Sequence, residues 1–488
     1  MEWKQLLCEE RIREVKSRET GRDLRSEFEK DYHRIIGSAS FRRLQDKTQV
    51  FPLDQSDFVR TRLTHSLEVS SFAKSLGQNI SRKILREIKD PAFLPEYQED
   101  VCDILQCAGL LHDIGNPPFG HFGETVIRSW FKEHMEKILW RSADVIEKPL
   151  SAWLTPQMRQ DFYHFEGNTQ AFRVVTKLHY LVDEHGMNLT KGLLATIIKY
   201  PVSSLNVDKH SPDICCHKMG YFSADEENFR DVVRSCGIPE GRRHPLTYVL
   251  EAADDIAYRT ADIEDAYKKG LISYQKLVEE LKTAEARIRD DHTGAVPESA
   301  ADDLKSMITR LESRYDKGEK LGRRDPGGFA IQNWIVGVQG KLIADATDSF
   351  GTHYHEIMDG SFSTELLAGT GGMVIADVLG DIAYRYAFRS KPILKIEIAA
   401  NQVLSFLLDK FVGAVLYYDT DRGPDVIGEK LIPFISDNYM AIYQRYAQEA
   451  DEAGRLYLRL LLVTDYVCGM TDAYASRLYQ EMNGLSLI

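Results

Sequence analysis

GLLHDIGNPPFGHFGE, residues 109–124, ends an apolar run in an adjacent histidine and aspartate, His112 and Asp113, just ahead of a Gly/Pro-rich turn. An imidazole beside a carboxylate offers a divalent cation mixed nitrogen and oxygen ligands, and the loop behind offers further acid/base side chains. The stretch reads as a candidate hydrolytic centre carried on a helical framework. Two adjacent residues cannot close a metal site, so partners must come from other segments.

Two segments supply them. In RTRLTHSLEVSSFAKSLGQNI (60–80), Val69, Phe72 and Leu76 follow His65 at helical spacing and place it at the edge of a core-facing stripe. In PLTYVLEAADDIAYRTADIEDAY (245–267), Pro245 suits a first helical turn, and Asp254, Tyr258 and Asp262 recur every four residues on one face. A lone His or Asp on an amphipathic helix is ordinarily structural or solvated. The combination argues otherwise, because mostly apolar helices each carry a polar group that is costly to bury unpaired. His121 and Glu124 stand three residues apart beyond the turn, so one helical turn puts both on one side. For that pair alone, the plainer reading is a loop cap and a first-turn acid stabilised by the helix dipole.

Composition bounds the class. The chain has 488 residues, 43 % hydrophobic and 28 % charged, as expected of a soluble globular protein with a large core or two to three packed subdomains. No apolar stretch reads as a membrane span; the best, LYLRLLLV (456–463), is short and broken by Arg459. The N-terminus is charged from its second residue and shows no signal-peptide apolar region. Seven cysteines without a CxxC motif fit reduced thiols in the cytoplasm, which leaves Asn188-Leu-Thr190 uninformative as a glycosylation match.

Helical period dominates, and the expected fold is mainly α. Residues 1–270 read as a helical catalytic core with insertions near 138–160 and 203–228. Residues 271–328 read as a charged helical connector broken at HTGAVPES and RRDPGG, and 329–488 as a C-terminal helical region completing the pocket or an oligomer interface. Short hairpins are expected at LAGTGGMV (367–374) and between QVFPL (49–53) and DFVR (57–60). His210, Cys215, Cys216 and His217 match no zinc spacing. GTGG (369–372) lacks the strand–helix context of a dinucleotide site, and no G-x-x-x-x-G-K-[ST] loop exists.

The ordered set His65, His112–Asp113 and the Asp254/Asp255 pair resembles the HD-domain metal-dependent phosphohydrolases. The longer strings FRRLQDKTQVFPL, RTRLTHSLEV, HDIGNPPFGHFGE, FEGN, EAADDIAY and ADIEDA resemble one branch, the bacterial deoxyguanosine triphosphate triphosphohydrolases. The likeness covers roughly residues 1–270, and GMTDAYA (469–475) extends it toward the C-terminus. It implies that His65, His112, Asp113 and one of the two aspartates hold the metal. A phosphate-contacting tyrosine one turn on selects Asp254 with Tyr258; Asp255 then points some 100° around the helix toward a structural contact.

With no cysteine in the pattern, manganese, magnesium, iron or cobalt suits the ligands. The resemblance further implies water attack at the α-phosphorus, releasing a deoxynucleoside and tripolyphosphate, with His121 and Glu124 catalytic. His121 would protonate the departing 5′-oxygen or orient the water, and Glu124 would fix its tautomer and charge.

The net charge of −13 requires a locally basic site for a triphosphate. Arg42, Arg43, Lys47, Arg60, Arg62 and Lys199 are the candidates. By resemblance Arg62 and Lys199 contact phosphate, Gln45 reads the sugar, and Tyr200, Tyr258 and Asp262 line the nucleotide pocket, with Glu166 and Asn168 nearby. A ring such as Tyr258 against the sugar 2′ edge would exclude a hydroxyl. Tyr384, Arg385 and Arg389 read more plainly as an ordinary amphipathic helix than as pocket residues. The resemblance also implies a homo-oligomer, a hexamer rather than a tetramer, with single-stranded DNA or a nucleotide as a possible regulator.

Two other readings stand beside this one. Another HD-type phosphohydrolase is disfavoured by Asn116, where a guanosine tetraphosphate hydrolase shows an HDxxED pair, and by the lack of the GYP motif of cyclic-dinucleotide phosphodiesterases. A binding module for nucleotide or single-stranded nucleic acid is disfavoured by the acidic charge.

Overall fold

The computed structural model describes residues 1–13, 23–49, 51, 59–141, 147–179, 182–291, 297 and 299–485. Among them helices and the turns that join them make up the fold, and one two-residue antiparallel pair, Leu139–Trp140 with Lys148–Pro149, is the sheet.

The centre is built from three helices. Arg62–Lys83 opens at a capping box in which the Thr61 hydroxyl accepts from the Thr64 N–H, while Thr64 Oγ1 accepts from the Thr61 N–H. Its buried stripe of Val69, Ala73, Leu76 and Ile80 packs along Tyr97–Leu111, the helix that ends at His112. The two approach closely because position 109 is glycine: a Cβ there would lie 2.5 Å from the Ser70 Cα. The third helix, Pro245–Lys268, begins with Pro245 in its first turn and buries Leu250, Ala253, Ile256 and Ala257 against the first. Full burial of each Leu or Ile here contributes about 1.5–3 kcal/mol, enough in sum to fix the three axes. The helices that carry His65, His112 and Asp254 are therefore held firmly against one another.

Two later helices matter to the site. Lys391–Val415 packs on Gly120–His134 and on Glu452–Cys468. It corrects the sequence reading on membrane spans, because its 25 residues include an 18-residue window of mean hydropathy 1.3, long and apolar enough by composition to cross a bilayer. Half of that window is buried inside the protein, as in a core helix. The shorter run 456–463 lies within a helix buried on every side.

The hairpin expected at LAGTGGMV is absent. Thr370 instead caps the helix Gly371–Ala383, its side chain accepting from the Met373 N–H at 3.1 Å, and Ile375, Leu379 and Ile382 then bury at helical period. The one expected between QVFPL and DFVR falls mostly outside the described residues; beside it, Thr48 and Thr61 form an isolated antiparallel bridge.

Candidate metal centre and adjoining cleft

His65, His112 and Asp113 each offer a ligand atom within 4.8 Å of the others. Asp254 enters from the Pro245–Lys268 helix, its Oδ1 3.2 Å from His65 Nε2 and 3.5 Å from His112 Nε2. His112 Nδ1 lies 2.8 Å from the Gly109 carbonyl, so the proton it donates there leaves the lone pair on Nε2. That Nε2 is buried without a hydrogen-bond partner, and burial lowers the imidazole's pKa, which keeps it neutral. Burial works to raise Asp113 and Asp254. Arg62 overrides it at the first, and His112 and Lys199 at the second, holding both well below the usual carboxylate range. An orphaned neutral nitrogen beside two ionised carboxylates is a donor set fit for a divalent cation.

The HDIGN turn is tied from several sides. Asn116 Nδ2 donates to Asp113 Oδ1 at 2.5 Å, and Arg62 closes an ion pair on Oδ2. Lys47 Nζ donates to the Asn116 and Cys468 carbonyls, each at 2.6 Å; burial pushes its ammonium down to about 8. Gly115 touches backbone, since a Cβ there would lie 2.0 Å from Ala171 N and 2.3 Å from the Gly167 carbonyl. Gly115→Ala is expected to destabilise the fold by about 1–3 kcal/mol, read as a lower denaturation midpoint, because overpacking forces a backbone shift.

Past the turn, Phe119 adopts a left-handed φ of 63°, unusual for a bulky residue. Its N–H is held at 2.9 Å by Asp472 Oδ1, whose other oxygen accepts from the Thr48 N–H at 3.0 Å. The buried GMTDAYA aspartate thus anchors the loop that starts the Gly120–His134 helix. On that helix His121 Nδ1 lies 3.3 Å from Glu124 Oε2, the one-turn pairing that the spacing predicts. His121 stands at the cleft mouth, its side chain 76 % exposed, whereas Glu124 is buried and also accepts from the Gly167 N–H at 2.8 Å. The hydrogen bond from Glu124 raises the His121 pKa, and its charge adds to this. Burial works to raise Glu124, but His121, Lys218 and Arg128 together hold it below its ordinary value. Glu166 of FEGN lies beside it, paired with Lys218 at 2.7 Å.

A cleft of about 380 Å³ joins these groups. Arg62, Asp113, His121, Lys199, Asp254 and Tyr258 all line it, and so does Asn168. Lys199 lies 3.3 Å from Asp254 Oδ2 and 2.6 Å from Glu251. Gln45 is exposed and outside the lining: the turn Arg43–Asp46 ends at Lys47, where the backbone becomes extended, and Gln49 reaches the cleft instead. Tyr200 and Asp262, expected in the nucleotide pocket, are not among the lining residues: the former lies under the Arg243 guanidinium and the latter is buried. Asp255 lines the cleft, with its carboxyl pushed up to about 7 by burial and then by Asp254.

The other basic candidates are engaged elsewhere. Arg42 donates to the Gly37 carbonyl, Arg43 to the Tyr439 hydroxyl, and Arg60 pairs with Glu68, Glu264 and Asp265.

The opposite wall went unread in the sequence. Phe388 stacks on Tyr258 at 6.2 Å, and Ile393, Ile396 and Glu397 reach in from the Lys391–Val415 helix. Of GDIAYRYAFRSK, Phe388 is the lining residue; Tyr384 and Arg389 are exposed and Arg385 pairs with Glu280. Glu397 is half-buried and has no hydrogen-bond or ion-pair partner among the described residues.

Residues 62–148 match the model of the HD domain. Over its whole length the chain is 45 % identical to a deoxyguanosinetriphosphate triphosphohydrolase-like protein of Listeria monocytogenes, with 100 % of both covered. It is 33 % identical to a like-named protein of Synechocystis, again with 100 % of both covered. With the deoxyguanosinetriphosphate triphosphohydrolase of Yersinia enterocolitica it shares 32 % identity over 93 % of each chain.

Proposed function

Because this chain belongs to the HD-domain deoxyguanosinetriphosphate triphosphohydrolase family, we propose that it hydrolyses deoxynucleoside triphosphates, dGTP by preference, at the α-phosphate, releasing the deoxynucleoside and intact tripolyphosphate. The observation that carries the reading is the partnerless His112 Nε2, set among His65, Asp113 and Asp254 at the edge of a cleft that also holds Arg62 and Lys199. Those four side chains would hold a manganese, magnesium, iron or cobalt ion, which when bound polarises the α-phosphate and lowers the pKa of water.

The chain's own groups do the rest. Arg62 and Lys199 offset the phosphate charge in an otherwise acidic protein. His121 either protonates the departing 5′-oxygen or orients the water, and Glu124 sets its tautomer and charge. Tyr258, backed by Phe388, closes against the sugar 2′ edge, and Gln49 takes the sugar-reading place expected of Gln45. Glu397 accepts from the N1–H and 2-amino group of guanine; adenine presents an acceptor at N1 and would leave that carboxylate unpaired. Incubation with dGTP and manganese, followed by chromatography, is expected to give deoxyguanosine; dGDP or dGMP as the product would refute the reading.

Two further outcomes follow from the geometry. Glu397→Gln is expected to reduce the dGTP over dATP ratio of kcat/KM by roughly 10–100-fold, since a hydrogen bond to a charged group is worth about 1.5–3 kcal/mol. Glu124→Gln removes the largest cause of the raised His121 pKa, so the imidazolium is lost at lower pH than in the wild type. Whichever limb of the rate profile His121 carries, that limb moves to lower pH in a kcat titration.

A further inference from the structure

We propose that a second cavity, at the C-terminal end of the Lys391–Val415 helix, binds a small ligand carrying one anionic group, a phosphate monoester or carboxylate, on a planar ring. The cavity measures about 660 Å³ and shares no lining residue with the catalytic cleft. At its base lies Arg459, 1 % exposed on the Glu452–Cys468 helix.

Arg459 is the anomaly. Its Nη1 donates to the Tyr418 carbonyl at 2.7 Å, its Nε is buried with no partner, and among the described residues no carboxylate lies within ion-pairing distance. Other deeply buried arginines have one: Arg173 has Asp225 and Asp465, Arg62 has Asp113, and Arg11 has Asp31. Asp419 and Glu452 act on Arg459 only from beyond ion-pairing distance. A buried cation without a directly paired counter-charge is costly, and an anion entering the cavity would offset that cost.

The walls say what the anion is attached to. The Trp140 ring lies 5.5 Å from the Arg459 guanidinium, and the exposed Arg422 guanidinium stacks over the Tyr417 ring at 4.1 Å. Together the last two form a flat shelf that suits a planar ring. The exposed rim bears both signs, with Asp419, Asp421, Asp451 and Glu452 beside Arg455, so a polyphosphate would meet stronger repulsion than a single charge.

The test is calorimetric titration of the metal-loaded full chain with phenyl phosphate, benzoate and inorganic phosphate. Saturable binding of phenyl phosphate or benzoate is expected, and the arm that binds identifies the anion. Arg459→Met is expected to abolish that binding, and Arg422→Ala to weaken it roughly tenfold by removing one face of the stack. Arg422 is exposed, so its variant decides the matter should Arg459→Met fail to fold. No saturable binding of either ring compound, inorganic phosphate binding as tightly as phenyl phosphate, or an affinity indifferent to Arg422→Ala would each overturn the proposal. A phenyl phosphate site that survives both substitutions unchanged would be the catalytic cleft instead.

Discussion

Asp254→Ala is expected to leave the purified protein without bound divalent metal and without turnover, measured by elemental analysis and by release of deoxyguanosine from dGTP. Its Oδ1 lies 3.2 Å from His65 Nε2 and 3.5 Å from His112 Nε2, so the substitution removes the carboxylate shared by both imidazoles. Lys199 would keep Glu251 as its partner, but the site would lose one of the negative charges that attract a cation. Asp255→Ala is the control. Asp255 lines the cleft but meets neither histidine, and its carboxyl, pushed up to about 7 chiefly by burial, is a poor ligand beside an ionised neighbour. It should retain metal. Metal lost from Asp255→Ala and kept by Asp254→Ala would reverse the assignment.

His121→Ala is expected to keep the metal and lose about 100-fold or more in kcat, the usual contribution of a positioned general acid or base. The separation of the two effects follows from position. His121 stands at the cleft mouth, paired with Glu124 at 3.3 Å, while the ligand cluster lies deeper with its nitrogens buried. Loss of metal from His121→Ala, with the fold intact, would reassign it as a ligand or a support of one.

The sequence made the catalytic side of the cleft readable because its information is local. Helical spacing placed His65 and Asp254 on buried helices, the i to i+3 separation put His121 against Glu124, and Pro245 marked a helix start. The i+3 relation of Asn116 to Asp113 carried equal information, although its meaning as a hydrogen bond that fixes the Asp113 carboxylate emerged only with the fold.

What escaped was long-range. Glu397 is one of two acids, with Asp409, on an apolar helix, and only packing shows that it lines the same cleft as Tyr258 and Phe388. Asp472 reads as a helix-start acid until its contact with the Phe119 N–H, 353 residues away, is seen. Gln45 and Gln49 are both glutamines near the same turn, and which one reaches the cleft depends on where the backbone leaves the helix at Lys47. The hairpin expected at 367–374 fails for a different reason: Gly371 and Gly372 open a helix capped by Thr370 and do not form a β-turn.

The most direct test of the central claim is hydrolysis of dGTP in water enriched in oxygen-18, with the manganese-loaded protein and both products analysed by mass spectrometry. Attack at the α-phosphorus predicts unlabelled deoxyguanosine and tripolyphosphate carrying one heavy oxygen. Label in deoxyguanosine, or products consisting of dGMP with pyrophosphate or dGDP with phosphate, would contradict it.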